Sequence, residues 1–268
     1  MNRQLIALLT DFGLADTYVG SLKGSIASIN PRANVVDLCH TISPQNIPEG
    51  AYVLRSVYRD YPRGTIFVCV VDPGVGSGRK PILVQTRDHF FIGPDNGIFS
   101  PIYRLEKKVR LFVLDKPRYY RHPVSHTFHG RDVFAPTAAW LSRLGNPRRV
   151  GTPMKRSPVT VDLPLPVWGR GGLRGEIIRF DHFGNIFTNI HRDDFRKIER
   201  FVAKGKLRLS VGGKKIPLLR FYAEGKRKRA PLVGLFSSSG FLEIAADCGS
   251  AAKILKKKAG SPVFLFFR

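Results

Sequence analysis

The sequence predicts an α/β fold in which an N-terminal, mainly parallel sheet flanked by helices is followed by a smaller C-terminal β-barrel domain. Three observations carry that prediction. Short apolar runs alternate with amphipathic stretches through the first half, the βαβαβ order of a parallel sheet covered on both faces. The texture then changes from about Pro153 to Arg174, where Pro153, Pro158, Pro164 and Pro166 and a glycine-rich 169–175 stretch interrupt regular structure. Beyond it come short alternating runs punctuated by Gly212-Gly213 and Gly240, the spacing of a small barrel or sandwich. The expected division is an N-terminal domain over 1–160, a linker over 161–174 and a C-terminal domain over 175–268.

Taken in order, Leu5–Thr10 reads as a buried strand that delivers Asp11 at its carboxyl end. Val19, Leu22, Ile26 and Ile29 recur at helical intervals, predicting a helix over Tyr18–Ile29 that Asn30-Pro31 ends. Val35–Leu38 is a second strand, Glu49–Tyr61 a second helix stopped by Pro62, and Thr65–Val71 a third strand leading into Asp72. Ile82–Thr86 and Phe90–Ile92 read as a hairpin around Arg87-Asp88-His89, and Arg131–Leu144 as a further helix. In the second half, strands are expected over Gly175–Asp181, Ile186–Ile190, Lys206–Val211, Leu242–Ala245 and Val263–Phe267. No solenoid repeat and no low-complexity tract interrupts them.

Composition narrows the class. No apolar run approaches the roughly 18 residues of a membrane helix, and Leu5–Leu9 is too short for a secretory signal, so a cytoplasmic protein without a membrane partner is expected. Cys39, Cys69 and Cys248 are odd in number and far apart, which argues against a disulfide framework and for small buried hydrophobes in a reducing compartment. No HExxH pattern or Cys/His cluster points to a metal. The charge is unusual: Lys+Arg 44 against Asp+Glu 20 gives +24, with a pI near 10.5. Such an excess favours polyanions. The basic residues are nevertheless spread widely, concentrating only at Lys226–Arg229 and Lys256–Lys258, with no aromatic-rich RNA motif or helix-turn-helix. A solvated charged surface is the favoured reading, and a nucleic-acid-binding protein with a nucleoside pocket is the alternative.

In an open parallel sheet, ligands bind beyond the carboxyl ends of the strands. Two predicted strands end there in acidic loops, Thr10-Asp11-Phe12-Gly13 and Asp72-Pro73-Gly74-Val75-Gly76, the latter continuing to Arg79. Thr127-Phe128-His129-Gly130-Arg131-Asp132 precedes a helix, and Asp181-His182-Phe183-Gly184-Asn185 opens the second domain. Singly, each has a plainer reading, since Asp before Gly or Pro is a common turn former or cap. Gly74, Gly76 and Gly78 do not fit the dinucleotide fingerprint.

Together and in this order the motifs are more specific. Leu9-Thr10-Asp11-Phe12-Gly13, the Asp72–Gly76 loop with Arg79, Pro94-Asp95-Asn96-Gly97, Phe128–Asp132, Asp181–Asn185 and Gly249-Ser250-Ala251-Ala252 closely resemble the S-adenosylmethionine hydrolase family. That family, the hydroxide adenosyltransferases, is related to fluorinating and chlorinating enzymes that attack the same carbon with halide. The resemblance covers nearly the whole chain. It implies an N-terminal α/β domain, a C-terminal β-barrel, and a homotrimer with active sites between the N-terminal domain of one subunit and the C-terminal domain of the next. It also implies hydrolysis of S-adenosyl-L-methionine to adenosine and L-methionine, with no cofactor.

The family's catalytic trio falls on Asp72, Arg79 and His129, which would hold a water opposite the sulfonium sulfur. The alternative for these three is a buried ion-pair network that only stabilises the fold. Asp11 is similar to the family's ribose-binding carboxylate, and Asp16 and Asp181 match positions for the methionine ammonium. Ser238 and Ser239 offer hydroxyls to the methionine carboxylate; Phe183, Phe187 and Asn185 suit adenine. Halogenating relatives lack the trio, and the fluorinating ones carry a long insertion where this chain has only Arg87-Asp88-His89, so water is favoured and halogenation is the weaker alternative. One departure is Asp247, where the family suggests Asn, at the adenine edge. The substrate is itself cationic, so the +24 charge does not steer it.

Overall fold

Ile6, Ala7, Leu8 and Leu9 are apolar in succession because both faces of their strand are covered, and all four are fully buried. In the computed structural model, which describes residues 4–169, 172–193, 207–227 and 230–267, the chain divides into Met1–Asp162 and Leu163–Arg268.

The first unit holds β1 (Leu5–Thr10), β2 (Asn34–Cys39), β3 (Ile66–Val70), β4 (Pro81–Gln85), β5 (Phe90–Pro94), β6 (Arg110–Val113) and β7 (Thr152–Pro153). Their order across the sheet is β2-β1-β3-β5-β4-β6-β7. The β1–β2, β1–β3 and β3–β5 pairs are parallel, whereas β4–β5, β4–β6 and β6–β7 are antiparallel. The sheet expected to be mainly parallel is therefore mixed. The cause is the tight β4–β5 hairpin, in which the Thr86 N–H bonds the His89 carbonyl at 3.0 Å. A parallel return would need a crossover of about a dozen residues or more. Neither β6, of 4 residues, nor β7, of 2, is long enough to show a period in sequence.

Helices α1 (Tyr18–Ile29), α2 (Ile47–Val57), α3 (Ser100–Leu105) and α4 (Ala135–Leu144) cover the sheet, and a single helical turn, Pro147–Val150, follows α4. Alternate side chains of a strand face opposite sides. Accordingly Ile6, Leu8, Ile66 and Val68 pack with Leu22, Ile26, Ala135 and Ala138 on one face. Ala7, Leu9, Phe67 and Cys69 pack with Val53, Leu54, Ile98 and Ile102 on the other. The start of α2 is fixed by Asn46, whose side chain accepts from the Glu49 N–H at 3.1 Å while the Glu49 carboxylate accepts from the Asn46 amide and the Ser43 N–H. That cap moves the helix start ahead of the expected Glu49, and the helix ends at Val57 with a 3-10 turn over Tyr58–Asp60. Gly145, at φ +64°, ends α4.

The second unit holds β8 (Val167–Gly169), β9 (Gly172–Phe180), β10 (Ile186–His191), β11 (Leu207–Val211), β12 (Lys214–Ile216), β13 (Val233–Phe236), β14 (Phe241–Ala245) and β15 (Pro262–Phe267). They form one antiparallel sheet ordered β12-β11-β15-β9-β10-β14-β13, with β8 on β9. A bridge between Leu218 and Gly234 brings the chain after β12 against β13, so the sheet is nearly a closed barrel. Its interior holds Ile177, Ile186, Ile190, Leu209, Val211, Leu242, Ile244, Val263 and Leu265. Part of the expected linker is thus strand, because β8 and the start of β9 find partners in the ladder. Lys206, Arg170, Gly171, Lys228 and Arg229, which figured in the expected strand, linker and basic cluster, lie outside the described residues. Cys69 is buried and Cys39 half-buried, but Cys248 is exposed on a turn with φ +50°, against the expectation of burial.

Gly93 marks the tightest point of the central sheet, since a Cβ there would lie 2.3 Å from the Cys69 carbonyl oxygen and 3.0 Å from the Phe99 ring. Gly93→Ala is expected to destabilise the protein by about 1–3 kcal/mol or more in urea unfolding. An unchanged midpoint would contradict this packing.

Candidate active site

The polypeptide leaves β3 through Val71, whose carbonyl accepts from the Asn96 side chain at 2.8 Å. Asp72 follows, and two turns curl the chain back, with Val75 N–H to Asp72 O at 3.2 Å and Ser77 N–H to Gly74 O at 3.1 Å. Gly76 sits at φ +77°, where a Cβ would lie 2.4 Å from the His126 carbonyl oxygen, so only glycine fits. The result is that Arg79 folds onto Asp72. Its Nε donates to Asp72 Oδ1 at 3.0 Å, and its Nη2 donates to Asp72 Oδ2. The same Nη2 lies 2.9 Å from His129 Nδ1. Both members of the ion pair are nearly buried, at 9% and 5% exposure, and the guanidinium lies 5.2 Å from the centre of the Phe134 ring. Arg79 Nη1 is buried without a hydrogen-bond partner.

His129 is carried by the lead into a widened, π-helical turn, Gly130–Phe134, that continues into α4. The turn is anchored by Asp132, fully buried, which accepts from Arg131 at 2.7 and 2.9 Å and from the Ser125 N–H at 2.9 Å. Such turns recur at functional sites, because they aim a side chain that a regular helix would place elsewhere.

The three groups determine one another's state. A guanidinium has no acceptor, so Arg79 must donate and His129 Nδ1 must accept. The imidazole is therefore neutral, with its proton on Nε2. Burial and then the Arg79 charge push its pKa below the ordinary histidine value, outweighing the opposing pull of Asp72 and Asp132.

Asp72 and His129 line a cavity of about 320 Å³ together with Asp11, Phe12, Tyr18, Gln45, Thr127 and Phe128. Arg79 does not line it; it joins the two that do. Asp11 Oδ2 accepts from the Gln45 N–H at 2.8 Å. Phe12, Tyr18 and Phe128 form a triangle of rings with centroids 5.4–5.8 Å apart. Asp16 is exposed on the turn before α1 and does not line this cavity.

The second unit has its own cavity of about 500 Å³, lined by Phe183, Asn185, Tyr222, Val233 and the Ala245–Ser250 turn, Asp247 and Cys248 included. Asp181 accepts from the Asn185 N–H at 2.8 Å and from its amide at 3.0 Å, which fixes how Asn185 is held. Phe183 stands 74% exposed at the rim. Phe187 is not part of this wall. It lies in the β10 ladder opposite Arg179 and Glu243, with the Arg179 guanidinium 6.0 Å from its ring centre. Ser238 and Ser239 occupy the β13–β14 turn, at the other end of the hairpin from Val233 and Ala245. The Pro94–Gly97 motif is structural: Asp95 is buried against Arg156 and the Val159 N–H, and Asn96 holds the end of β3.

Several lining residues escaped the sequence reading. Gln45 carried no distinguishing signal, and Thr127 was read only as the start of the motif that carries His129. Glu243, which bonds the lining residue Tyr222 without itself lining the cavity, did carry a signal, as a carboxylate inside the apolar run Phe241–Ala245. It is buried and accepts from the Tyr222 hydroxyl at 2.7 Å; burial pushes its pKa up, and Asp181 adds to that.

A mixed α/β unit with a carboxylate–guanidinium–imidazole cluster beyond its strand ends, joined to an antiparallel barrel with a second cavity, defines the structural class. The chain belongs to the SAM hydroxide adenosyltransferase family: the profile of the family's N-terminal domain matches residues 6–151, and that of its C-terminal domain residues 175–264. It is 37% identical to the (R)-S-adenosyl-L-methionine hydrolase of Thermus thermophilus, covering 97% of this chain and 98% of that one. It is 35% identical to the enzyme of the same name from Methanocaldococcus jannaschii, over 94% and 91%. A fluorinase of Nocardia brasiliensis is more distant, 26% identical over 97% and 96%. Among solved structures, an uncharacterized conserved protein from Thermotoga maritima superposes with a TM-score of 0.88 at 34% identity, covering 97% of this chain and 99% of that one.

The neutral imidazole gives a pH test. Protonating His129 breaks its bond from Arg79, and its folded pKa lies below the ordinary 6.5, so folding free energy is complete above 6.5 and declines as pH falls toward the lowered value. Urea titrations across this range should show that decline in the wild type and less of it in His129→Asn. Superimposable pH dependences would refute the assignment.

Proposed function

We propose that this protein hydrolyses S-adenosyl-L-methionine to adenosine and L-methionine by bringing water onto the ribose 5′ carbon. The observation that carries the proposal is the Arg79 bridge between Asp72 and His129 on the wall of a cavity that also presents Asp11.

The chemistry needs little from the leaving group. A sulfonium departs as a neutral thioether, taking the C5′–S electron pair, so neither a general acid at sulfur nor a cofactor is required. Water is the weak partner: as its oxygen bonds C5′, one of its protons must leave. Asp72 can accept a hydrogen bond from that water on a lone pair that Arg79 does not use, and the neutral His129 can donate Nε2–H to its oxygen. Both directions are then set before substrate arrives. Holding the water in line is the main contribution, up to about 7–11 kcal/mol in favourable intramolecular cases. Arg79 acts behind these two, fixing the carboxylate and the imidazole tautomer. The same set disfavours halide, which needs donors and no acceptor for a proton.

Asp11 would accept the ribose diol. Phe183 and Asn185 would take adenine, with Tyr222 in the wall rather than Phe187. Asp181 and Asp16 would face the ammonium, and the Ser238-Ser239 turn the carboxylate. The two cavities lie on different units, so we also propose a homotrimer in which the N-terminal cavity of one subunit and the C-terminal cavity of the next share a substrate. Exposed Leu165, Val167, Trp168 and Phe264 give the second unit an apolar face suited to such an assembly. Three free thiols suit a cytoplasmic location.

In heavy-oxygen water, the product adenosine is expected to carry the label in its 5′ hydroxyl. Unlabelled adenosine, or none under conditions where substrate binds, would refute displacement by solvent. Asp72→Asn and Arg79→Ala should each lower kcat by about 100-fold or more with a much smaller change in KM. Turnover at the wild-type rate in both would return the cluster to a structural role.

A further inference from the structure

β10 ends in His191, a group that the reaction above does not use. Its ring packs edge-on against Phe241, its cross-strand partner, with centroids 4.7 Å apart. The Asp193 N–H donates to Nδ1 at 3.0 Å, and Nε2 lies 3.1 Å from the Ser239 carbonyl oxygen. An amide N–H can only donate, so Nδ1 is the acceptor and Nε2 carries the proton that the Ser239 carbonyl receives. Gly240 comes next at φ +82°, and a Cβ there would fall 2.5 Å from Nε2, so ring and turn are closed on each other.

The turn itself is Ser-Ser-Ser-Gly, a sequence with little stiffness of its own. It is closed by Gly240 N–H to Ser237 O at 2.9 Å and tied to the end of β10 by Arg192 N–H to Gly240 O at 2.8 Å. The Ser237 and Ser239 hydroxyls lie 2.9 Å apart, and Ser238 is exposed at the tip. An imidazole from the neighbouring strand therefore holds the one segment of the second unit that presents consecutive hydroxyls.

We infer that His191 is a positioning residue for substrate recognition, fixing the Ser237–Gly240 turn so that Ser238 and Ser239 meet the methionine carboxylate. This rests on the carboxylate reading of that turn given above. The carboxylate keeps its charge throughout the displacement, so contacts to it bind ground state and transition state alike. Loosening the turn then raises KM and leaves kcat in place.

The test compares S-adenosylmethionine with its decarboxylated analogue, which keeps the sulfonium and ammonium but lacks the carboxylate. His191→Phe retains the ring against Phe241 and deletes both hydrogen bonds; His191→Gln retains a donor for the Ser239 carbonyl. His191→Phe is expected to raise KM for S-adenosylmethionine about tenfold, with kcat little changed and KM for the analogue unaltered. His191→Gln should fall between it and the wild type. Equal KM changes for both substrates in both variants, or no change in either, would overturn the inference while leaving the carboxylate reading intact. A wild type with the same KM for both substrates would overturn the carboxylate reading, and the inference with it.

Discussion

A guanidinium can only donate hydrogen bonds, and in this molecule one guanidinium stands between a carboxylate and an imidazole. From that constraint the states of all three groups follow. Asp72 is held by two donors, His129 must offer Arg79 its Nδ1 lone pair, and its proton is left on Nε2. The surrounding fold serves this arrangement. β3 leads to Asp72 just beyond its carboxyl end, Gly76 permits the curl that returns Arg79, and the π-helical turn with buried Asp132 aims His129.

Burying an ion pair is costly and repays itself only when geometry is good and remaining polar atoms are satisfied. Here the bidentate bond, the imidazole and the face of Phe134 meet most of the requirement. Arg79 Nη1, buried without a partner, does not contribute. A cluster built only for stability would gain by substituting apolar residues. This one stands beside a cavity that also presents Asp11. The second unit shows the same economy, with Asp181 fixing Asn185, Glu243 holding Tyr222 and His191 holding a serine turn.

Much of this was legible in sequence, for identifiable reasons. Leu5–Thr10 and Tyr18–Ile29 have the expected bounds because a wholly buried strand and a one-faced helix leave strong periodic signals. The sheet's mixed character was legible only in part: the β4–β5 hairpin could be read, but the antiparallel β6 and β7 are too short to show a pattern. The family resemblance singled out Asp72, Arg79 and His129, and the structure brings the three side chains together, but the sequence could not show that Arg79 stands behind the cavity wall. Phe187 was placed in the adenine slot for its aromatic character, whereas strand alternation turns it toward Arg179 and Glu243. Cys248 was expected to be buried and proved exposed, because its turn follows the last residue of β14.

The tautomer of His129 is the point on which the account turns, and long-range nitrogen–proton NMR of the imidazole reads it directly. At neutral pH the spectrum should show a neutral ring protonated on Nε2 in the wild type, with that preference lost in Arg79→Ala. A ring protonated on Nδ1, or an imidazolium, would contradict it.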